Sequence, residues 1–147
     1  MMRDLLLALR DELMTWEEFG GRVFITEAQD YIPPSMRTPA CGLRDGRQAR
    51  EDLTDDAGLE TLAVHLYVYS DSHAPGEALL GNPTTGRPGV LELLQTVAER
   101  LRGNLLGLEA QGLVQARPGA LEASISWEEP ARVMTSKALN LTYEREA

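Results

Sequence analysis

Several short patterns in the sequence contain residue types that could carry out chemistry, and the first is rich in glycine. Residues 81–88 read Gly-Asn-Pro-Thr-Thr-Gly-Arg-Pro and have the glycine spacing of a phosphate-binding P-loop. A P-loop requires Lys at the position of Arg87 and Ser or Thr at that of Pro88. Because Pro88 also removes a backbone donor, the pattern favours a surface loop that ends at the first turn of a helix.

A second pattern offers carboxylates, which are the ligands that hard divalent cations prefer. Glu51, Asp52, Asp55 and Asp56 lie close together in the sequence. Their spacing differs from that of an EF-hand loop, which needs alternating oxygen ligands, a Gly at the sixth position and a Glu at the twelfth. The spacing therefore favours a solvated charged loop over a metal site.

The histidines and the cysteine complete the set of reactive residue types. His65 and His73 are the only histidines, and neither has a partner at a metal-ligand spacing such as i+4 on a helix. No G-x-S-x-G turn is present, although triads also assemble from distant residues. A lone Cys41 cannot form an intrachain disulfide, and we expect a small buried side chain there. The sequence predicts no enzyme, no cofactor and no metal site.

Composition indicates one folded domain spanning residues 1–147. Apolar residues make up 43% of the chain and charged residues 25%, as in ordinary globular proteins. The net charge of -9 argues against a protein that wraps nucleic acid, which needs a concentrated basic surface, although it leaves room for a local basic patch. We expect no sequence-specific nucleic-acid partner. No window approaches the ~20 apolar residues of a membrane span, and acidic residues interrupt the first apolar run. We therefore expect no membrane contact and a cytoplasmic protein at birth.

The first third predicts a helix, short strands and a loop. Apolar residues recur at helical spacing from Leu5 to Trp16, and Gly20 and Gly21 end the helix. A short strand follows over residues 22–26, and three prolines make residues 31–39 a connector. Residues 40–44 predict a second short strand, whereas dense charge over residues about 45–60 predicts a mobile loop.

The remainder predicts a strand, a helix and three more strands. Residues 61–70 alternate with two largely apolar faces, so this strand should lie centrally or be covered by another chain. A Gly/Pro-rich loop over about 71–89 precedes a helix over about 89–106. A turn at Pro118-Gly119 would join two strands as a hairpin, and residues 133–144 form a last strand. This order predicts an α+β fold: a mixed, mainly antiparallel sheet with two principal helices packed on one face.

Over nearly the whole chain, this succession resembles the tail terminator, or tail completion, proteins of long-tailed bacteriophages and prophages. The residues that carry the resemblance are the helix through Trp16, Gly-Gly-Arg-Val-Phe-Ile at 20–25, the charged segment 44–60, the strand 62–69, the helix 90–106, and Leu-Asn-Leu-Thr-Tyr at 139–143. The resemblance implies a small structural subunit of a homo-oligomeric ring, hexameric in this family, that caps the tail tube and joins tail to head. The implied partners are further copies of the chain, the tail tube protein and the head-tail connector protein. The implied location is the virion tail, after the host cytoplasm.

The resemblance, together with the charged and two-faced segments, suggests which residues would meet a neighbouring subunit. The interface candidates are Arg44, Arg47, Arg50, Asp55, Asp56, Tyr67, Tyr69 and Arg87. Two alternatives stay open at this point. One is a ligand-binding module or small enzyme with a pocket between the second helix and the sheet, using His65 and Tyr67. The other is a different phage morphogenesis adaptor, for head completion or the baseplate.

Overall fold

The computed structural model describes residues 1–72 and 76–146 as three helices on a six-stranded sheet. The sheet order is β1-β2-β3-β6-β4, and β5 also pairs with β6. Among the strand pairs described, β1 and β2 run parallel and all the others run antiparallel. The α+β prediction is therefore confirmed. The elements are α1 (Met2–Met14), β1 (Val23–Ile25), β2 (Ala40–Asp52), β3 (Gly58–Ser72), α2 (Glu77–Leu80), α3 (Val90–Leu101), β4 (Leu113–Leu121), β5 (Ile125–Glu129) and β6 (Arg132–Glu146).

Both long helices pack on the same face of the sheet, as the periodicity predicts. The buried residues Leu5, Leu9 and Leu13 form the stripe of α1, and α3 contributes a wider one. Both stripes join one apolar cluster with every second residue of β3, because side chains alternate across a strand. The β3 residues of this cluster are Leu62, Val64, Leu66 and Val68.

The opposite face of β3 is covered by the protein's own chain at the end that carries the tyrosines. Tyr67 and Tyr69 lie in a second apolar cluster with Ile32 of the connector, and Met36 and Trp127 pack against it. Strand β3 lies in the middle of the sheet. Of the two alternatives predicted for it, a central position or cover by another chain, the structure shows the first. The part of this face that carries Tyr67 and Tyr69 is therefore covered by Ile32 and Met36 of the connector and by Trp127 of β5, and not by a second chain.

The predicted mobile loop over residues 45–60 is wrong, because most of it is strand. Strand β2 continues to Asp52, β3 begins at Gly58, and the two pair antiparallel to the end. Only residues 53–57 form the turn. Nearly all of β2 after Leu43 is exposed, so its side chains need no apolar alternation, and the sequence lacks the signal by which strands are recognised.

The last third also differs from the predicted hairpin. Pro118 and Gly119 lie inside β4 rather than in a turn, and β4 and β5 both pair with β6 instead of with each other. Two predicted boundaries in the middle of the chain also differ. The second long helix ends at Leu101, whereas the sequence predicts an end near residue 106. In the Gly/Pro-rich segment, residues 71 and 72 belong to β3 and a short helix, α2, occupies residues 77–80.

The two edges of the sheet are finished differently. At the β4 edge, the backbone N–H of Gly103 donates to the carbonyl of Ala116 at 3.0 Å, and Pro118 has no N–H to offer. At the other edge, β1 pairs with β2 only as far as Leu43. In the described part of the chain no strand pairs with this side of β2 from Arg44 to Asp52. One edge is thus partly sealed and the other is open.

Candidate assembly surface

The β2–β3 hairpin extends past Leu62, the residue of the apolar core that lies nearest its turn, and residues 47–57, here called the charged projection, form the longest run of exposed residues that the structure describes. Every residue from 47 to 57 is exposed. Leu53, at the turn, is an apolar side chain with 61% exposure. A single exposed apolar side chain is common on protein surfaces, so Leu53 supports a contact surface only together with the charged residues around it.

A bulge at the base of the hairpin directs the projection. The pairing shifts between Asp45 and Gln48, so that Gly46 and Arg47 face a single residue of β3, Ala63. A Cβ atom at position 46 would lie 2.8 Å from the Ala63 carbonyl oxygen, and glycine is therefore required. Such bulges bend a strand and increase its twist, so this bulge sets the angle at which the hairpin leaves the core.

Charged side chains on the hairpin remain available for contacts outside the chain. Arg50 pairs with Asp52 at 3.0 Å, with both side chains more than half exposed. In the described part of the chain, no ion pair involves Arg44, Arg47, Asp55 or Asp56. The hairpin thus brings together five of the predicted interface residues: Arg44, Arg47, Arg50, Asp55 and Asp56.

The other predicted interface residues do not share this surface. Tyr67 and Tyr69 are 5% and 0% exposed beneath the connector, so they offer no surface to a second chain. Arg87 donates from Nη2 to Asp71 and Thr38, and it fastens the 81–89 segment to the end of β3. The long-range contacts of the connector and of Arg87 have no signature in the local sequence.

The Thr38–Asp71–Arg87 cluster connects three segments of the chain through one ionised carboxyl group, that of Asp71. Thr38 Oγ1 donates to Asp71 Oδ1 at 2.5 Å. Burial by itself raises the pKa of Asp71, but the hydrogen bonds from Thr38 and Arg87 outweigh it and hold that pKa below its usual range. The carboxylate is therefore charged at neutral pH.

The proposed pocket between the second helix and the sheet is wrong in its residues, because His65 and Tyr67 face away from both long helices. Nδ1 of His65 lies 2.6 Å from Oδ1 of Asn140, whose amide donates to Glu122 at 2.9 Å. The imidazole also stacks on the Tyr67 ring. These contacts fix His65 as part of the sheet's outer face.

The other reactive residue types are the cysteine, the acidic residues and the second histidine. Burial raises the pKa of the fully buried Cys41 thiol, which keeps it protonated and unreactive at neutral pH. Across residues 1–72 and 76–146, no three His, Cys, Asp or Glu side chains come close enough to hold a metal ion. His73 lies outside the described residues.

None of the described helices has the length and apolar character to cross a membrane. Comparison with known proteins found no family model that matches this sequence and no match among curated proteins. The functional argument therefore depends on the geometry of the projecting hairpin and on the resemblance in element order.

Proposed function

We propose that this protein is a structural subunit of a phage or prophage tail, which joins copies of itself into a ring, hexameric in the resembled family. The ring caps the tail tube and connects it to the head. The observation that carries the proposal is the exposed end of the β2–β3 hairpin, which carries charges of both signs without ion-pair partners and an exposed Leu53 at its turn. A catalytic function receives no comparable support from the described side chains.

A ring requires heterologous contacts, in which one patch of a subunit meets a different patch of its neighbour. A projection on a rigid base suits this geometry because it reaches over the adjacent subunit. The turn, with Leu53, Asp55 and Asp56, supplies an apolar anchor beside carboxylates. We propose that this turn contacts the next subunit or the tail tube protein. The completed ring would then bind the head-tail connector protein.

The ring contact is tested by reversing charge at the turn. We expect the double variant Asp55→Arg/Asp56→Arg to lose the ring, because the turn then repels the surface that it contacts. Six subunits of 16.2 kDa give about 97 kDa, and light scattering after size exclusion separates that mass from the masses of smaller species. Both residues are exposed, so circular dichroism should show an unchanged fold.

The matched control reverses two exposed acids on α3, Glu92→Arg/Glu99→Arg, and should keep the ring mass. If the turn variant retains the ring as well, the assignment of the contact to the turn is refuted. A wild-type chain that stays monomeric at every concentration, and does not bind tail tubes lacking a terminator, would refute the proposed function itself.

A further inference from the structure

The open side of β2 presents backbone groups that are oriented for a further strand. The chain of β1 leaves β2 at Thr26, whose N–H donates to the Leu43 carbonyl at 2.9 Å. Near the turn, the Leu53 N–H donates to Ala57 across the hairpin. Because backbone groups alternate in direction along a strand, those of Gln48, Arg50 and Asp52 point away from β3. They form a row of donors and acceptors along the edge.

The β4 edge offers a poorer template. The Ala116 carbonyl already accepts the Gly103 N–H, and Pro118 interrupts the row of donors. Proteins commonly protect exposed strand edges in these ways. In the described part of the chain the longer unprotected row is that of β2, so strand addition is expected there.

The charges along β2 match those of a second copy of the same strand. When two identical antiparallel strands pair about a two-fold axis, one residue lies on the axis opposite itself. With Ala49 on the axis, Arg47 faces Glu51 of the second copy, and Gln48 faces its Arg50. No residues of like charge then face each other directly between Asp45 and Leu53.

The neighbouring registers are less favourable. With Gln48 on the axis, Asp45 faces Glu51 of the second copy, and with Arg50 on the axis two arginines face each other. Like charges in directly opposed positions destabilise a strand pair, whereas opposite charges stabilise it. The backbone agrees with the Ala49 register, since the groups of Gln48 and Arg50 both point outward and can exchange hydrogen bonds across the axis.

We propose that the β2 edge binds the β2 edge of a second copy of this chain, antiparallel, about a two-fold axis through Ala49. This contact goes beyond the proposed ring. It is isologous and closes after two copies, whereas ring contacts are heterologous. It can therefore join two free subunits, or two rings, without contributing to ring closure.

A disulfide tests the register directly. In a non-hydrogen-bonded antiparallel pair the two Cα atoms are about 4.5 Å apart, which is within disulfide range. We expect Ala49→Cys to form a cross-linked dimer of about 32 kDa, twice 16.2 kDa, under mild oxidation on a non-reducing gel. The native Cys41 is fully buried and should not compete.

The control places the thiol on the same exposed strand, away from the axis. Glu51→Cys alone should run as an uncross-linked chain on the same gel, but mixed with Arg47→Cys protein it should form cross-linked heterodimers. Absence of the Ala49→Cys dimer, or equal cross-linking of Glu51→Cys alone, would overturn the proposed register and with it the inference. Neither result depends on the 97 kDa ring, so the inference and the proposed function can fail separately.

Charge exchange provides a second readout without cysteines. Arg47→Glu and Glu51→Arg should each raise the dimer dissociation constant roughly tenfold, because each creates opposed like charges on both sides of the axis. The double variant restores opposite charges and should recover the wild-type value. Additive weakening in the double variant would show that these residues do not face each other.

Discussion

Leu66→Ala is expected to lower the free energy of unfolding by about 3 kcal/mol, the middle of the range for a leucine truncated in a core. Leu66 is fully buried in the middle of β3, in the cluster that joins both long helices to the sheet. Truncation leaves a cavity that neighbours on a central strand cannot fill by collapsing. Urea unfolding followed by circular dichroism measures the change as a lower midpoint at constant slope.

The matched control is Leu121→Ala, which removes the same atoms from a side chain that is 52% exposed at the end of β4. We expect a change within about 0.5 kcal/mol there. Equal effects of the two variants would contradict the central position of β3 and the packing of both helices on one face.

Asp71→Asn is expected to destabilise the protein by about 2 kcal/mol at pH 7, below the range for breaking a fully buried ion pair because these groups are partly exposed. The amide leaves the Arg87 guanidinium without its charged partner and releases the 81–89 segment from the connector. Thermal unfolding of variant and wild type measures the difference.

The same pair of proteins gives a pH test with a definite sign. The folded-state pKa of Asp71 is lowered, so its stabilisation is fully present above the unfolded value of about 3.9. It is lost as the pH falls through the lower folded value. The wild type should therefore approach Asp71→Asn in stability below about pH 4, whereas the exposed Asp56→Asn should follow the wild type throughout. A difference that stays constant down to the acid transition would mean that the pair does not supply the stabilisation.

The fold could be predicted where burial imposes a period on the sequence. Helices α1 and α3 and the strand β3 each contribute regularly spaced apolar residues to one core, and the spacing records the element type. Strand β2 lost this signal beyond Leu43, because its backbone is held by pairing with β3 while its side chains face solvent. Its sequence therefore predicts a loop where the structure has a strand.

Pro118 and Gly119 predict a turn, whereas the structure places both residues inside β4. Both residue types are strong turn signals, but an edge strand tolerates a proline because one of its sides needs no hydrogen-bonding partner. The strand that contains them pairs with β6, which lies later in the sequence. Such pairing is a long-range property.

The candidate surface could be predicted only in part. The charged residues of the hairpin were singled out from their density, and the structure collects them on one projection. Tyr67 and Tyr69 belong to the predicted interface because an apolar second face on a strand suggests a partner. In the structure the partner is the connector, through Ile32 and Met36. The proline-rich sequence of the connector gives no signal from which this contact could be predicted.

The partial sealing of the β4 edge by Gly103 and Pro118 has a consequence for solubility. A sheet with two open edges is a bifunctional monomer, which can polymerise by strand addition without limit. This sheet resembles a monofunctional monomer, because addition at β2 leaves no equally good template at its other end. We therefore expect growth by this route to stop at a pair, so that the long exposed strand does not lead to fibres.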